Sequence, residues 1–329
     1  MALLPPFYLD AVVAIGVGDD PAKRSWIGTG FIFGNYLPRI STAETKHHRL
    51  WLITNKHVVE DTRSIYVKLN SAADPHSKDY KVPLFAINGK PMWIGHPTKE
   101  IDIAAIWLNA SYLKQEQRKY SFIQSDRHVM PSGEMRTNGI TEGDRVFVLG
   151  YPMGLVNATR QYVICRSGAL ARVRDMLEGR AKDFLVDATV FPGNSGGPVI
   201  ICPSALAIEG TKTITKANLI GIVKSYVSYS DLAVSNQTRK PRISFEENSG
   251  LATAETADSI IETVDLAEKR LKNRIAQAKH KAKKMANSPM VGTTTTQPPI
   301  PTPPAALPPP TVDPISPPSA PNPARHKSG

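Results

Sequence analysis

Apolar residues in the first 250 positions occur in runs of five to eight, each closed by a turn signal. The first set is Ala11–Val17, Trp26–Phe33, Leu50–Thr54, Ile65–Leu69 and Ile101–Leu108. A polar stretch from about Leu113 to Asp144 follows, with Pro131, Ser132, Gly133, Asn138 and Gly139. The second set is Arg145–Tyr151, Gln161–Cys165, Phe184–Ala188, Pro198–Cys202 and Leu219–Tyr226. Runs this short, rich in Val, Ile and Tyr, cannot cover one face of a helix but suit strands buried on one or both sides. Two sets of strands joined by one polar linker predict an all-β fold of two small barrels side by side.

The period changes only after Thr256. Ile260, Val264, Ala267, Leu271, Ile275 and Ala278 recur at steps of three and four, which predicts an amphipathic helix. Thr256 is its expected N-cap and Asp258 suits the first turn. Its first half is expected to pack on the second barrel; its second half carries Lys279, Lys281, Lys283 and Lys284 and is expected to project into solvent. Fourteen of the 28 prolines lie between Pro289 and Pro323. Missing N–H groups and few large apolar side chains predict a disordered, partly polyproline-II tail. The expected divisions are thus 1–252 for the barrel pair, 253–286 for the helix with its basic end, and 287–329 for the proline-rich tail.

Charge follows these divisions. Of the formal net charge of +11, residues 269–329 carry +9, leaving +2 for residues 1–268. The folded part is nearly neutral, so a nucleic-acid interface on it is not expected. The two cysteines, Cys165 and Cys202, lie in apolar runs and read as buried thiols of a reducing compartment, the alternative being at most one disulfide. No Cys/His cluster has metal-ligand spacing, and neither metal nor cofactor is expected. Pro5, Pro6 and Asp10 interrupt the N-terminal apolar run, and no stretch reaches the ~20 apolar residues of a membrane span. The expected location is cytoplasmic.

The most specific segment is Phe191-Pro192-Gly193-Asn194-Ser195-Gly196-Gly197-Pro198, directly before the apolar run Val199-Ile200-Ile201. A serine among glycines can be a plain turn, but here Gly193 frees the backbone to aim its N–H, with that of Ser195, at an oxyanion. A serine hydroxyl needs a base to act as a nucleophile. His57 follows the apolar strand Leu50–Ile53, a rigid place to hold a ring; by itself it reads equally as an ordinary strand-end histidine. His47 and His48 fall in a polar stretch and read as solvated surface. Asp102, at the mouth of the run Ile101–Ile106, is costly there unless paired, which points to a specific partner; the alternative is a simple strand-end acid.

In the order His57, Asp102, Ser195, these segments resemble the trypsin-like peptidase superfamily, most closely the protease domain of the bacterial HtrA/Deg group. Gly28-Thr29-Gly30-Phe31-Ile32, Thr54-Asn55-Lys56-His57-Val58-Val59, Asp102-Ile103-Ala104, Gly150-Tyr151-Pro152-Met153-Gly154 and Val186–Ser195 are similar to that group's motifs. The resemblance spans about residues 10–255. It implies two six-stranded antiparallel barrels of the chymotrypsin kind and serine endopeptidase activity on protein or peptide substrates. Ser195 would be nucleophile, His57 base and Asp102 its orienting acid, with the N–H groups of Gly193 and Ser195 as the oxyanion hole. It also implies that Thr189 lies at the base of the S1 pocket, and that Ser225 and Tyr226 lie on the substrate-pairing strand.

The chain departs from the pattern in several places. Asn194 replaces the acid that zymogen-activated relatives use, so maturation by that route is not expected. Uncharged Thr189 argues against selection for Arg or Lys. Lys224 stands where many relatives carry a small hydroxyl residue that supports the triad acid. The PDZ domains usual in the group are replaced by the helix and tail; the tail is either a spacer or a dock for a proline-reading partner. The rival readings are a non-catalytic or self-cleaving interaction module on a protease fold, and an esterase. The esterase fits poorly, because its histidine comes last in the chain.

Overall fold

The structure, a computed structural model, describes residues 3–73, 76–157, 159–204 and 212–286. One compact unit spans Met1–Lys279. The proline-rich tail lies outside the described residues. No described helix is long and apolar enough to cross a membrane.

In the first half, strands β1 (Val12–Val17), β2 (Ser25–Tyr36), β3 (His48–Thr54), β4 (Ser64–Ser71), β5 (Lys78–Pro83), β6 (Trp93–Gly95) and β7 (Ala104–Trp107) form a curved sheet in the order β5-β4-β1-β2-β3-β7-β6. Two short strands, β8 (Arg118–Lys119) and β9 (Ile123–Gln124), add to β4 and β2. The second half is a closed barrel of β10 (Arg145–Gly150), β11 (Ile164–Arg172), β12 (Asp183–Asp187), β15 (Pro241–Thr256), β14 (Asn218–Val234) and β13 (Pro198–Ile201), in that circular order. Among the described residues six α-helices complete the fold: α1 (Pro6–Ala11), α2 (Lys56–Val59), α3 (Ala110–Gln115), α4 (Ser132–Thr137), α5 (Arg174–Leu177) and α6 (Ala257–Ala286).

Only the second of the two expected barrels therefore closes; the first is a half-barrel, open between β5 and β6. Pro83 ends β5 and Pro91 precedes β6, and neither offers a ladder N–H. The chain between them bonds to itself instead: Ala86 N–H to Lys90 O and Gly89 N–H to Ala86 O at 2.9 Å, and Met92 N–H to Leu84 O at 2.8 Å.

Alternation along the strands fills three apolar clusters. Val13, Ile15, Ile32, Leu50, Leu52, Ile65 and Val67 point into the half-barrel. Val146, Val148, Phe184, Val186, Val199, Ile201, Ala252 and Ala254 fill the closed barrel. The intervening residues, among them Val12, Ala14, Phe31, Phe33, Trp51, Ile53, Leu149, Tyr151, Leu219 and Ile222, join Ile260, Val264 and Ala267 of α6 in a cluster shared by both halves. β1 reads as an unbroken apolar run because both its faces are covered.

Thr256 caps α6: its Oγ1 accepts the Ser259 N–H at 3.2 Å. The helix docks on both halves rather than on the second barrel alone. Glu268 accepts hydrogen bonds from Trp51 Nε1 (3.1 Å) and Arg49, and Glu262 lies 2.9 Å from His96 Nε2. The apolar stripe leaves the core at Ile275, which is 43% exposed. His48, expected in solvent, is buried between Tyr36 and Phe122, with Asp126 at 2.8 Å. Cys202 is buried and Cys165 exposed, and both thiols are free. Cys165 lies in β11, whose residues alternate outward there.

Glu142 fastens α5 to the turn before β10. Its carboxylate accepts the N–H groups of Val173 (3.0 Å) and Arg174 (3.1 Å). These bonds, that from Val173 foremost, hold its pKa down from 4.5 to about 2. A carboxyl with a depressed folded-state pKa stabilises fully above its unfolded value and loses that contribution as pH falls through the folded value. Glu142→Gln is therefore expected to lower the urea midpoint at neutral pH. The gap to wild type should close between about pH 4.5 and 2 in midpoints measured across that range.

Candidate active site

His57, Asp102 and Ser195 meet where the two halves touch. His57 sits on the one-turn helix α2 at the end of β3, and Asp102 on the loop that enters β7. The Asp102 carboxylate accepts twice from His57, from the backbone N–H (3.2 Å) and from ring Nδ1 (2.5 Å). That contact assigns the Nδ1 proton to the Asp102 side and leaves Nε2 as the proton-accepting nitrogen. Asn55 Nδ2 donates to the Asp102 carbonyl at 2.6 Å. Lys56 Nζ donates to the carbonyls of Thr98 (3.4 Å) and Lys99 (3.0 Å) in the same loop.

Ser195 comes from the loop between β12 and β13. Asn194 N–H closes a turn on Phe191 O at 2.9 Å, with Pro192 and Gly193 at its centre and a φ of 98° at Gly193. Proline followed by a residue of positive φ is the type II pattern, which sets the orientation of the Pro192–Gly193 peptide. The Pro192 carbonyl accepts from Met153 N–H at 2.6 Å. Among the described residues, the N–H groups of Gly193 and Ser195 have no intramolecular acceptor. Two unpartnered N–H donors beside a serine hydroxyl are an arrangement that can bind an anionic oxygen. The Asn194 side chain accepts the Phe191 N–H at 3.0 Å and so braces the turn locally.

Thr29, on β2, joins these parts. Its N–H donates to Ser195 O (2.9 Å), its hydroxyl donates to Gly193 O (2.6 Å) and accepts from Tyr151 N–H (3.0 Å), and its carbonyl accepts from Thr54 Oγ1 (2.7 Å). It is fully buried. The approach needs glycine at 196, where a Cβ would stand 2.0 Å from Thr29 O.

His57, Asp102 and Ser195 line a pocket of about 320 Å³ with Val190, Phe191, Val223, Lys224, Ser225 and Tyr226. The Ser195 hydroxyl donates to the Lys224 carbonyl at 3.2 Å, and no hydrogen bond joins it to the His57 ring. Thr189, expected at the base of the pocket, is instead exposed, and its neighbour Val190 is among the pocket residues. The alternation of β12 continues past its end, so Thr189 shares the outward face of Asp187 and Val190 the inward face of Ala188. Lys224, where the resemblance left the support of Asp102 open, donates from Nζ to Glu100 O (3.0 Å) and pairs with Glu255 (2.9 Å). Glu255 in turn accepts the Asp102 N–H at 3.1 Å. Sequence reasoning missed both Thr29 and Glu255 as parts of the site. The only signal was the Gly-Thr-Gly spacing, which marks a close backbone approach. Among the described residues, no group of three or more His, Cys, Asp or Glu could hold a metal ion.

Residues 28–202, more than half of the chain, match the family model of the trypsin-like peptidase domain. Over 171 residues the chain is 27% identical to "Putative serine protease HhoB" of Synechocystis sp.; the match covers 52% of this chain and 33% of that protein. Among solved structures, the apo protease domain of MamO from Magnetospirillum magneticum is similar, with a TM-score of 0.40 and 15% identity over 78% of this chain and 96% of that one. The inactive form of the Rv3671c protease is similar at a TM-score of 0.38 and 15% identity, over 78% and 89% of the two chains.

Replacing Thr29 by isosteric Val strands the Gly193 carbonyl and the Tyr151 N–H in the interior. Thr29→Val is expected to cost about 2–4 kcal/mol, and Thr29→Ser, which keeps the hydroxyl, markedly less. Urea unfolding followed by tryptophan fluorescence measures both.

Proposed function

The chain belongs to the trypsin-like peptidase family, and from that premise we propose that it is a serine endopeptidase that cleaves proteins or peptides through an acyl-enzyme. The observation that carries this reading is the 2.5 Å contact between His57 Nδ1 and Asp102, in one pocket with Ser195 and beside two unpartnered N–H groups.

In this reading the incoming carbonyl oxygen takes the N–H groups of Gly193 and Ser195. The Ser195 hydroxyl turns from the Lys224 carbonyl toward His57 Nε2, gives up its proton there, and its oxygen bonds to the carbonyl carbon. Asp102 holds the imidazolium that forms. His57 then protonates the departing amine, and a water activated by the same ring hydrolyses the ester. Beyond the end of β13, Ser225 and Tyr226 of β14 pair on one side only, with Thr253 and Ala252 of β15. The other edge is open to an extended substrate backbone.

Val190, Phe191, Val223 and Tyr226 supply an apolar pocket wall, and the one carboxylate in it, Asp102, is committed to His57. The favoured P1 residue is therefore small or medium and aliphatic. A positional peptide library is expected to rank Ala, Val and Leu above Arg and Lys; a strong basic preference would overturn this specificity.

The test of the activity is a fluorophosphonate probe on the full chain. Wild type is expected to label, and Ser195→Ala and His57→Ala to lose labelling by about four orders of magnitude or to background. Absence of Ser195-dependent labelling would favour a non-catalytic module, a state in which the Ser195–Lys224 hydrogen bond persists.

A further inference from the structure

Glu255 is the acid near the site to which the proposed reaction assigns no part. It lies at the end of β15, paired with Ile222 of β14 and Asp183 of β12. Its side chain is 2% exposed, and a carboxylate at that depth is retained only with a counter-charge and hydrogen-bond donors. Both partners belong to the site's surroundings. Oε1 accepts the Asp102 N–H at 3.1 Å and forms an ion pair with Lys224 Nζ at 2.9 Å. The same ammonium donates to Glu100 O, two residues before Asp102, at 3.0 Å. The Lys224 carbonyl accepts the Ser195 hydroxyl.

Asp102 is thus gripped from opposite sides. The closed barrel holds its N–H through Glu255, and the half-barrel holds its carbonyl through Asn55. Its carboxylate is left with both its hydrogen bonds from His57. Glu255 has no hydrogen bond to His57 or Ser195, so its effect on them runs through Asp102.

Taking the endopeptidase reading as given, we propose that Glu255 is a positioning residue for the reaction: its buried carboxylate fixes the main chain of Asp102, and Lys224 supplies its counter-charge and ties down the rest of the loop. This pair performs across the junction of the two halves the task that a small hydroxyl residue at position 224 would perform from within the strand. The decisive group is an acceptor oxygen at the reach of a glutamate side chain; the charge matters only to Lys224.

Two single variants of the full chain separate these roles. Glu255→Gln keeps an acceptor at the same reach and loses the charge; Glu255→Asp keeps the charge and falls short of the Asp102 N–H. The readouts are the second-order rate of fluorophosphonate labelling and the far-downfield proton NMR signal of the His57 Nδ1 hydrogen bond to Asp102. Melting temperatures serve as a check. Glu255→Gln is expected to label within about threefold of wild type and keep the downfield proton. Glu255→Asp should label about tenfold more slowly, the scale of one lost hydrogen bond to a charged group, with the proton broadened or gone. The reverse order, or equal rates with the proton intact in both, would overturn the proposal. If a single variant folds poorly, Lys224→Met/Glu255→Gln and Lys224→Met/Glu255→Met carry the comparison without a buried orphan charge. The Gln pair is expected to outpace the Met pair; equal rates overturn the proposal. Should wild type show no Ser195-dependent labelling, the endopeptidase reading falls, and the downfield proton still decides whether Glu255 holds Asp102.

Discussion

Thr29 makes four hydrogen bonds through its N–H, carbonyl and hydroxyl, and all four join parts of the chain far apart in sequence. The Ser195 loop is held at Gly193 and Ser195, the second barrel at Tyr151, and the strand that delivers His57 at Thr54. At the depth of Thr29, which is fully buried, each bond is worth more than at the surface, and each lost one leaves a buried group unpaired. The flanking glycines make the approach possible: a Cβ at Gly28 or Gly30 would come within 2.8 Å of Val58 or Leu52. The relative position of His57 and Ser195, which neither half can set alone, follows from this crossing.

The shared apolar cluster supports that crossing from beneath. β1, β2 and β3 each bury one face in the half-barrel and the other against Leu149, Tyr151, Leu219, Ile222 and the first turns of α6. A sheet covered on both faces cannot slip by one residue without exposing a whole row of side chains, so the register that brings Thr29 to Ser195 is strongly held. The open flank between β5 and β6 belongs to strands other than β2 and β3, which carry Thr29 and lead to His57. The half-barrel can therefore stay unclosed without loosening the crossing at Thr29.

The parts of the fold that were legible in sequence are those whose apolar pattern is local. The runs at Trp26–Phe33, Arg145–Tyr151 and Pro198–Cys202 became β2, β10 and β13, and the stripe after Thr256 became α6. β15 was not legible: its outer half, Pro241–Asn248, is polar and largely exposed, because it pairs with β14 in a ribbon that leaves the barrel. Glu255 was hidden with it. Thr189 was misplaced for a related reason, since spacing from Ser195 measures distance along the chain and the facing of a side chain depends on the pleat. His48 read as a surface residue because Asp126, the partner that makes its burial affordable, lies 78 positions away.

The sequence by itself marked the candidate residues. It put a serine in a glycine turn before an apolar strand, a histidine at the end of another, and an acid at the mouth of a third, and it marked the strands that carry them. Tertiary structure alone decided how those groups are held. Only in the fold does Thr29 reach Gly193 and Ser195, Lys224 turn from a doubtful substitution into the partner of Glu255, and Ser195 rest against the Lys224 carbonyl. These contacts join segments 29 to 166 residues apart. Their residues carry no periodic signal, because a hydrogen bond needs one donor and one acceptor at the right distance and leaves the residues on either side of them unconstrained.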